Sequence, residues 1–304
     1  MRMSATVSVN GRITSDRDAV ISVFDHGFLY GEGIYETLRT YHGRVFLYDR
    51  HMKRMRNSAR MMVLTLPFTD DELAARIRDT VAAATLDGAE AYIRVLVTRG
   101  IGDLTYDPEA TPKPSVVIIV KPQVDPAPEA YEHGVRTVIV DVVRNHPGTV
   151  NPMIKSNNLM NSALAMQEAL RRGAFEGIMR NYRGELTECT TSNLFIVRNG
   201  AALTPPLTSG LLPGTRRDFI FDVGKDVGVE VREEVLRDED LFSADEAFLT
   251  STTREAVPIV TVDDRTIGTG TPGPVTKRLL EGFRRRAHAN ASTGGQEQNR
   301  LRSP

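Results

Sequence analysis

Lys155-Ser156-Asn157-Asn158-Leu159-Met160-Asn161, followed a few dozen residues on by Glu188-Cys189-Thr190-Thr191-Ser192-Asn193, is the part of the sequence on which the reading of the fold turns. The first run sets a lysine just ahead of a segment with helical periodicity. The second sets a glutamate just ahead of the apolar run Leu194-Phe195-Ile196-Val197. A lysine amine can bond covalently to a carbonyl, and a carboxylate can keep a ring nitrogen protonated, so the pair is suited to holding one cofactor from two sides. Asn151-Pro152-Met153-Ile154 precede Lys155 and can desolvate its amine, whereas Lys53, Lys225 and Lys277 stand among charges on helices. A plain solvated lysine is the alternative. Glu188 reads as at least half buried, either as the ring-nitrogen partner or as a carboxylate paired with a nearby arginine, and Cys189 reads as core packing.

Working outward, the N-terminal side reads as strands and hairpins. Residues 5–9 alternate up to an Asn10-Gly11 turn, and residues 34–41 lead through His42-Gly43 into Arg44-Val45-Phe46-Leu47. A helix from Asp49 should bury a stripe of Met52, Met55, Ala59 and Met62. A second opens at Thr69-Asp70-Asp71-Glu72, which has the form of a capping box, and runs to about Ala84. Residues 91–98 and 115–120 read as largely buried strands. The proline-rich stretch 121–130 reads as an interdomain linker without helix or strand. Beyond it come a strand at 135–143, a helix from about 158 to 171, strands at 175–181, 185–188 and 192–197, a helix from about 215 to 227, strands at 230–233 and 246–251, and a last helix at 274–287. The expected organisation is α+β: a small N-terminal domain at 1–120, a larger C-terminal domain at 131–287, and a disordered tail at 288–304, which has hardly an apolar residue.

The chain has 304 residues and a formal net charge of -1, which gives no electrostatic reason to expect nucleic acid or a membrane surface as a partner. One cysteine allows no internal disulfide and suits a cytoplasmic setting, and no apolar run reaches membrane-spanning length. Gly31-Glu32-Gly33 lacks the third glycine and helix of a dinucleotide fingerprint, the histidines lack metal-ligand spacing, and no Gly-x-Ser-x-Gly elbow occurs. No metal is expected.

Other residues are candidates for a site. Thr215-Arg216-Arg217 opens a helix after Leu212-Pro213-Gly214, where unsatisfied amides and the helix dipole favour an anion; an ordinary helix start is the alternative. Ser251-Thr252-Thr253 offers hydroxyls and amides at a strand end, as a ligand contact or a polar turn. Arg39 and Arg94 interrupt strands that otherwise look buried, and each needs a carboxylate opposite, from the protein or from a substrate. Tyr30, Tyr35 and Tyr92 read as lying in the same strands, walling an apolar pocket or filling core.

With these residues in place, the chain resembles the fold-type IV family of pyridoxal-phosphate enzymes, which includes branched-chain aminotransferases, D-amino acid aminotransferases and aminodeoxychorismate lyases. Four blocks match in order: Tyr-Gly-Glu-Gly-Ile-Tyr-Glu-Thr-Leu-Arg at 30–39 with His51-Met52-Lys53-Arg54; Ile-Lys-Ser-Asn-Asn-Leu at 154–159; residues 188–197; and Leu212-Pro213-Gly214 with Ser251-Thr252-Thr253. The resemblance implies a small α/β domain and a larger β-barrel-like domain, with pyridoxal 5'-phosphate between them, and a homodimer. It makes Lys155 the Schiff-base lysine and proton carrier, and Glu188 the partner of the ring nitrogen. It makes Arg54, Thr215, Arg216 and Thr252 phosphate contacts, with Leu212 beside the cofactor. Tyr92 and Arg94, with Thr253, would hold the substrate carboxylate, Tyr30 and Tyr35 would wall the side-chain pocket, and Arg39 would lie on the substrate side. The expected reaction passes an amino group from a branched-chain L-amino acid to 2-oxoglutarate. The alternatives are a D-amino acid or (R)-amine transaminase, aminodeoxychorismate lyase, and a catalytically silent relative. Leu159 stands roughly where many branched-chain enzymes carry a tyrosine, and Gly214-Thr215-Arg216-Arg217 puts an arginine where a threonine is usual.

Overall fold

The computed structural model describes residues 5–293. The chain divides into two compact units. The first takes the described residues up to Val124, the short segment Ile154–Asn158 and those from Ala287 on; the second takes Asp125–Met153 and Leu159–Arg286.

In the first unit, β1 (Thr6–Val9) and β2 (Arg12–Ser15) form the hairpin expected at Asn10-Gly11, both turn residues taking the positive φ that a two-residue turn of this kind requires, 50° and 89°. A single turn, α1 (His26–Leu29), is capped by Asp25 and leads into β3 (Gly33–Tyr41), which returns as β4 (Arg44–Val45). In α2 (Tyr48–Met61) the residues Met52, Met55 and Ala59 are buried, so the methionine stripe does face the core. α3 (Asp70–Ala82) starts with the expected box: Glu72 N donates to Thr69 Oγ1 at 3.3 Å, and Thr69 N to the Glu72 carboxylate at 2.7 Å. With β5 (Ala91–Thr98) and β6 (Ser115–Pro122) the strands make an antiparallel sheet ordered β2-β1-β6-β5-β3-β4. Strand alternation splits its residues. Ile34, Leu38, Ile93, Val95 and Val97 join the core that α2 and α3 complete, each such side chain contributing about 1.5–3 kcal/mol of burial. Tyr35, Thr37, Tyr92 and Arg94 are half-buried on the other face.

The second unit opens with α4 (Pro128–Glu132), within the stretch expected to be a helix-free linker. Pro128 is at the first helical position, where the missing N–H has no partner to lose and the fixed φ suits the helix, so here proline begins a helix. There follow β7 (Val135–Ile139), α5 (Met160–Arg171), β8 (Glu176–Arg180), β9 (Leu186–Cys189), β10 (Asn193–Arg198), β11 (Ala201–Thr204), α6 (Thr215–Val227), β12 (Val231–Glu233), α7 (Asp238–Phe242), β13 (Glu246–Ser251), β14 (Glu255–Val262), β15 (Arg265–Thr266) and α8 (Pro274–Thr293). The strands are ordered β12-β11-β10-β13-β14-β7-β8-β9, with β15 on β14. The turn Thr190-Thr191-Ser192, closed by Cys189 N donating to Ser192 O at 2.7 Å, returns the edge strand β9 to β10, and the sheet is barrel-like. Residues 288–293, assigned by composition to a tail, are helical: Ala287, Ala289 and Ala291 are strong helix formers, and His288 Nδ1 lies 2.8 Å from His42 Nε2. Residues 294–304 lie outside the described residues. No helix among the described residues is long and apolar enough to cross a membrane.

Candidate active site

Lys155 belongs to the first unit. Its segment pairs with the start of β3: Tyr35 N donates to Lys155 O at 2.9 Å and Asn157 N to Gly33 O at 2.8 Å, while Lys155 N donates to Ser58 Oγ on α2 at 3.1 Å. Two of these bonds fix the lysine's own main chain, and the third holds the segment two residues on. Its Nζ lies 4.4 Å from the centroid of the Tyr35 ring, and Arg94 Cζ lies 4.2 Å from the same centroid. Burial works to raise the Tyr35 phenol, but the charges of Lys155 and Arg94 and a hydrogen bond with Lys155 bring it below its ordinary value. Neither Lys155 nor Arg94 makes an ion pair among the described residues. Arg94 thus has no carboxylate opposite it among the described residues. Thr37 is the cross-strand neighbour of Arg94, and Arg39 that of Tyr92, so these residues share one face of the sheet. Arg39 is buried with Cζ 4.4 Å from the Tyr41 ring centroid, and Lys121 Nζ lies 5.0 Å from that of Tyr92.

Arg54 sits on the helix side, where its Nε and NH2 donate to Glu36 at 2.8 and 2.7 Å. His51 Nδ1 is 2.7 Å from the same carboxylate. Burial alone would raise the Glu36 carboxyl; Arg54 first, then His51, hold it down to about 2. Tyr30 is not on β3. It ends α1, ahead of Gly31 at φ 70°, and its ring packs with His26 and Tyr106 at 4.9 and 5.0 Å between centroids. The left-handed glycine turns the chain before the strand begins, so Tyr30 does not share a strand with Tyr35.

In the second unit Glu188 is buried on β9. Arg144 Nε donates to its Oε1 at 2.8 Å; Asn193 Nδ2 and Leu212 N donate to Oε2 at 3.2 and 3.1 Å. Asn161 steadies Arg144, its Oδ1 accepting from NH1 at 3.2 Å. Asn193 also binds Leu212 O at 3.1 Å and presses on Gly214, where an added Cβ would stand 1.8 Å from Asn193 Oδ1. Only glycine fits there. Gly214 is the N-cap of α6 and makes no side-chain cap, and the helix opens at Thr215 and Arg216. Thr252 and Thr253 lie half-buried in the turn between β13 and β14. Burial first, then the Glu176 and Glu188 carboxylates, push the Cys189 thiol well up, which agrees with a packing role.

The structure therefore brings Lys155, Tyr35 and Arg94 together in one unit, and Glu188, Leu212, Gly214 and the α6 start together in the other. Sequence reasoning gave no role to Arg144, Asn161, Asn193 or Ser58, although Asn161 and Asn193 stand in the two stretches from which it started. The available signal for Arg144 was a lone arginine directly after an apolar strand, which pointed to a buried carboxylate somewhere but not to Glu188.

A lysine beside a cation that has no carboxylate partner among the described residues, and a buried carboxylate tied to the loop that opens α6, are residue types that suit an enzyme handling amino acids through a phosphorylated carbonyl cofactor. A model of the amino-transferase class IV family matches residues 33–262, and the chain belongs to that family. Its members use pyridoxal phosphate. A protein of Methanocaldococcus jannaschii, provisionally named a branched-chain-amino-acid aminotransferase, is 39% identical over 91% of this chain and 95% of its own length. A D-alanine aminotransferase of Staphylococcus haemolyticus is 32% identical over 94% of this chain and 99% of its own. Among solved structures, a branched-chain amino acid aminotransferase of Escherichia coli superposes with a TM-score of 0.90 at 33% identity, covering 96% of this chain and 97% of that one. A branched-chain aminotransferase of Thermoproteus uzoniensis with norvaline does so at 0.87 and 31%, covering 99% of both chains.

Proposed function

We propose that this chain passes an amino group from a branched-chain L-amino acid to 2-oxoglutarate. The observation that carries the reading is Arg94. It stands beside Lys155 and the Tyr35 ring with no carboxylate partner among the described residues, which suits a donor bearing an α-carboxylate better than a plain amine. The identity to the Methanocaldococcus jannaschii protein, higher than to the D-alanine aminotransferase, favours the branched-chain donor.

The residues fit pyridoxal phosphate. The start of α6 presents the end of a helix whose dipole favours a phosphate, and the donors around Glu188 belong to a carboxylate held in one orientation. When bound, the cofactor supplies a carbonyl that takes up the amino group and a ring that draws off the charge left at Cα. Lys155 then provides the amine that engages the carbonyl and the base that moves a proton at the substrate Cα. Glu188, with Arg144 as its counter-charge, holds a proton on the ring nitrogen. The amides of Thr215 and Arg216, the Thr252 hydroxyl and Arg54, kept in one rotamer by Glu36, take the phosphate, and Leu212 fixes Glu188 through its amide. Arg94 and Tyr92 hold the substrate carboxylate with the Thr253 amide, Tyr35 walls the side-chain pocket, and Arg39 supports that face from the next register position.

A second copy of the chain fits the same reading. Phe24, Phe28, Ile101, Leu104 and Tyr106 are all exposed, and their two segments are tied by His26 N to Gly100 O at 2.9 Å and Gly102 N to Phe24 O at 3.2 Å, making a firm apolar surface suited to a homodimer. A single buried cysteine suits the cytoplasm.

The test is the visible spectrum of the protein loaded with pyridoxal phosphate while donors are added singly. L-leucine should convert the carbonyl form, and D-alanine and 1-phenylethylamine should leave it unchanged. Conversion by D-alanine in preference to L-leucine overturns the substrate, and normal turnover by Lys155→Ala overturns the role of the lysine.

A further inference from the structure

Glu176 takes no part in the reading above, yet it is wholly buried at the start of β8 and heavily engaged. Its Oε1 accepts from Thr190 Oγ1 at 3.0 Å, from Thr191 Oγ1 at 2.9 Å and from Thr191 N. Its Oε2 accepts from Ser192 Oγ at 2.9 Å and forms an ion pair with Arg254 NH1. Arg254 NH1 also reaches Thr191 Oγ1 and Ser192 Oγ at 3.1 and 3.2 Å. These donors come from two turns only. One, Thr190-Thr191-Ser192, joins the strand of Glu188 to that of Asn193. The other links β13 to β14 and carries Thr252, Thr253 and Arg254.

The second turn is held from several sides. The Arg254 carbonyl accepts from Tyr131 Oη at 3.2 Å, and its guanidinium lies 4.8 Å from the Phe175 ring centroid. Glu255, at φ 54°, is strained for a side-chain-bearing residue and binds Arg284 Nε at 2.7 Å. A buried ion pair is a poor way to gain stability, since apolar side chains of the same volume do as well or better. What apolar packing cannot do is fix the register of two turns through directional bonds.

We propose that Glu176 and Arg254 are positioning residues for the cofactor phosphate: acting through the two turns and touching no ligand, they hold the Thr252-Thr253 turn in register with the turn that follows Glu188. The proposal rests on the reading of Thr252 as a phosphate contact. Because the Glu176 end is anchored by four donors from the first turn, loss of Arg254 releases only the turn of Thr252 and Thr253.

The experiment compares the affinity of full-length protein, stripped of cofactor, for pyridoxal phosphate and for pyridoxal, which lacks the phosphate, with thermal unfolding measured alongside. Arg254→Gln should weaken pyridoxal phosphate about tenfold or more, the usual cost of removing a group that orients a ligand, while pyridoxal changes by less than about twofold. Arg254→Lys, which keeps the charge, should recover part of the loss. Glu176→Gln should lose at least as much pyridoxal phosphate affinity as Arg254→Gln. Arg254 is 21% exposed, so its variants carry the test if the Glu176 variant does not fold. Equal weakening of both ligands by Arg254→Gln, or no weakening, overturns the proposal. Wild-type protein that binds pyridoxal phosphate no more tightly than pyridoxal overturns the phosphate reading beneath it, a result separable from the first.

Discussion

Glu36→Gln tests whether the buried group of Glu36, His51 and Arg54 works as an ionised unit. Burial alone would raise this carboxyl, yet Arg54 and then His51 bring it from 4.5 to about 2. A carboxyl held that far down is stabilised by about 3 kcal/mol when ionised. The folded protein binds this proton more weakly than the unfolded chain does, so the contribution is full above pH 4.5 and disappears as the pH falls from there to about 2. Removing one partner of a buried ion pair costs a similar amount, about 3–5 kcal/mol. Glu36→Gln should therefore destabilise the protein by about 3 kcal/mol at pH 7 and converge on wild type near pH 2. Urea unfolding of both proteins by circular dichroism, at pH steps from 7 downward, gives the difference directly. A gap that stays constant with pH, or one below about 1 kcal/mol at neutrality, refutes the reasoning.

Arg94→Gln should raise the KM for L-leucine about 10–100-fold, the range expected for a lost charge-assisted hydrogen bond, with a smaller effect on kcat; steady-state kinetics showing an unchanged KM would count against the substrate contact. Tyr35→Phe should remove the first phenol to ionise in an alkaline ultraviolet titration, because Lys155 and Arg94 lower Tyr35 while burial and then Asp70 push Tyr48 well up; a titration identical to wild type sinks this assignment. Cys189 should be silent to a thiol reagent in native protein and react once on unfolding in urea, since burial and its two glutamate neighbours keep the thiol protonated, and reaction of native protein at the rate of a free thiol would contradict that.

What the sequence made legible was local. The turns at Asn10-Gly11 and His42-Gly43, the capping box at Thr69 and Glu72 and the methionine stripe depend on residues at most a few helical turns apart, so pattern alone could place them. The strand Glu255–Val262 was hidden by Pro258, which cannot donate to a ladder, and by the left-handed turn at Glu255. Partnerships were less legible still. Glu36 and Arg54 are 18 positions apart and Arg144 and Glu188 are 44 apart, so no periodicity links them, although each residue type announced a need for a partner. Arg54 illustrates the limit: family likeness pointed to a phosphate, while the carboxylate that holds it, Glu36, lay in a hairpin strand and family block where it was given no role. The placing of Tyr30 in a strand failed for a different reason, since one glycine with positive φ ends the pattern that would have carried it into β3.

The five-residue return of Ile154–Asn158 to the first unit has a consequence for how the protein is made. The main chain of Lys155 is fixed by Tyr35 and Ser58, residues synthesised about a hundred positions earlier, so the pairing is among the longest-range contacts in the chain. Contacts of that separation form late, after local helices and hairpins have reduced the entropy of closing the loop. A nascent first unit can complete its hairpins and capped helix with no amine beside Tyr35. The lysine is installed only when residues 154–158 have left the ribosome and taken their place along β3. The pairing that seats the lysine therefore waits on chain made well after β3, and slow exchange of the Tyr35 and Asn157 amides would mark its arrival.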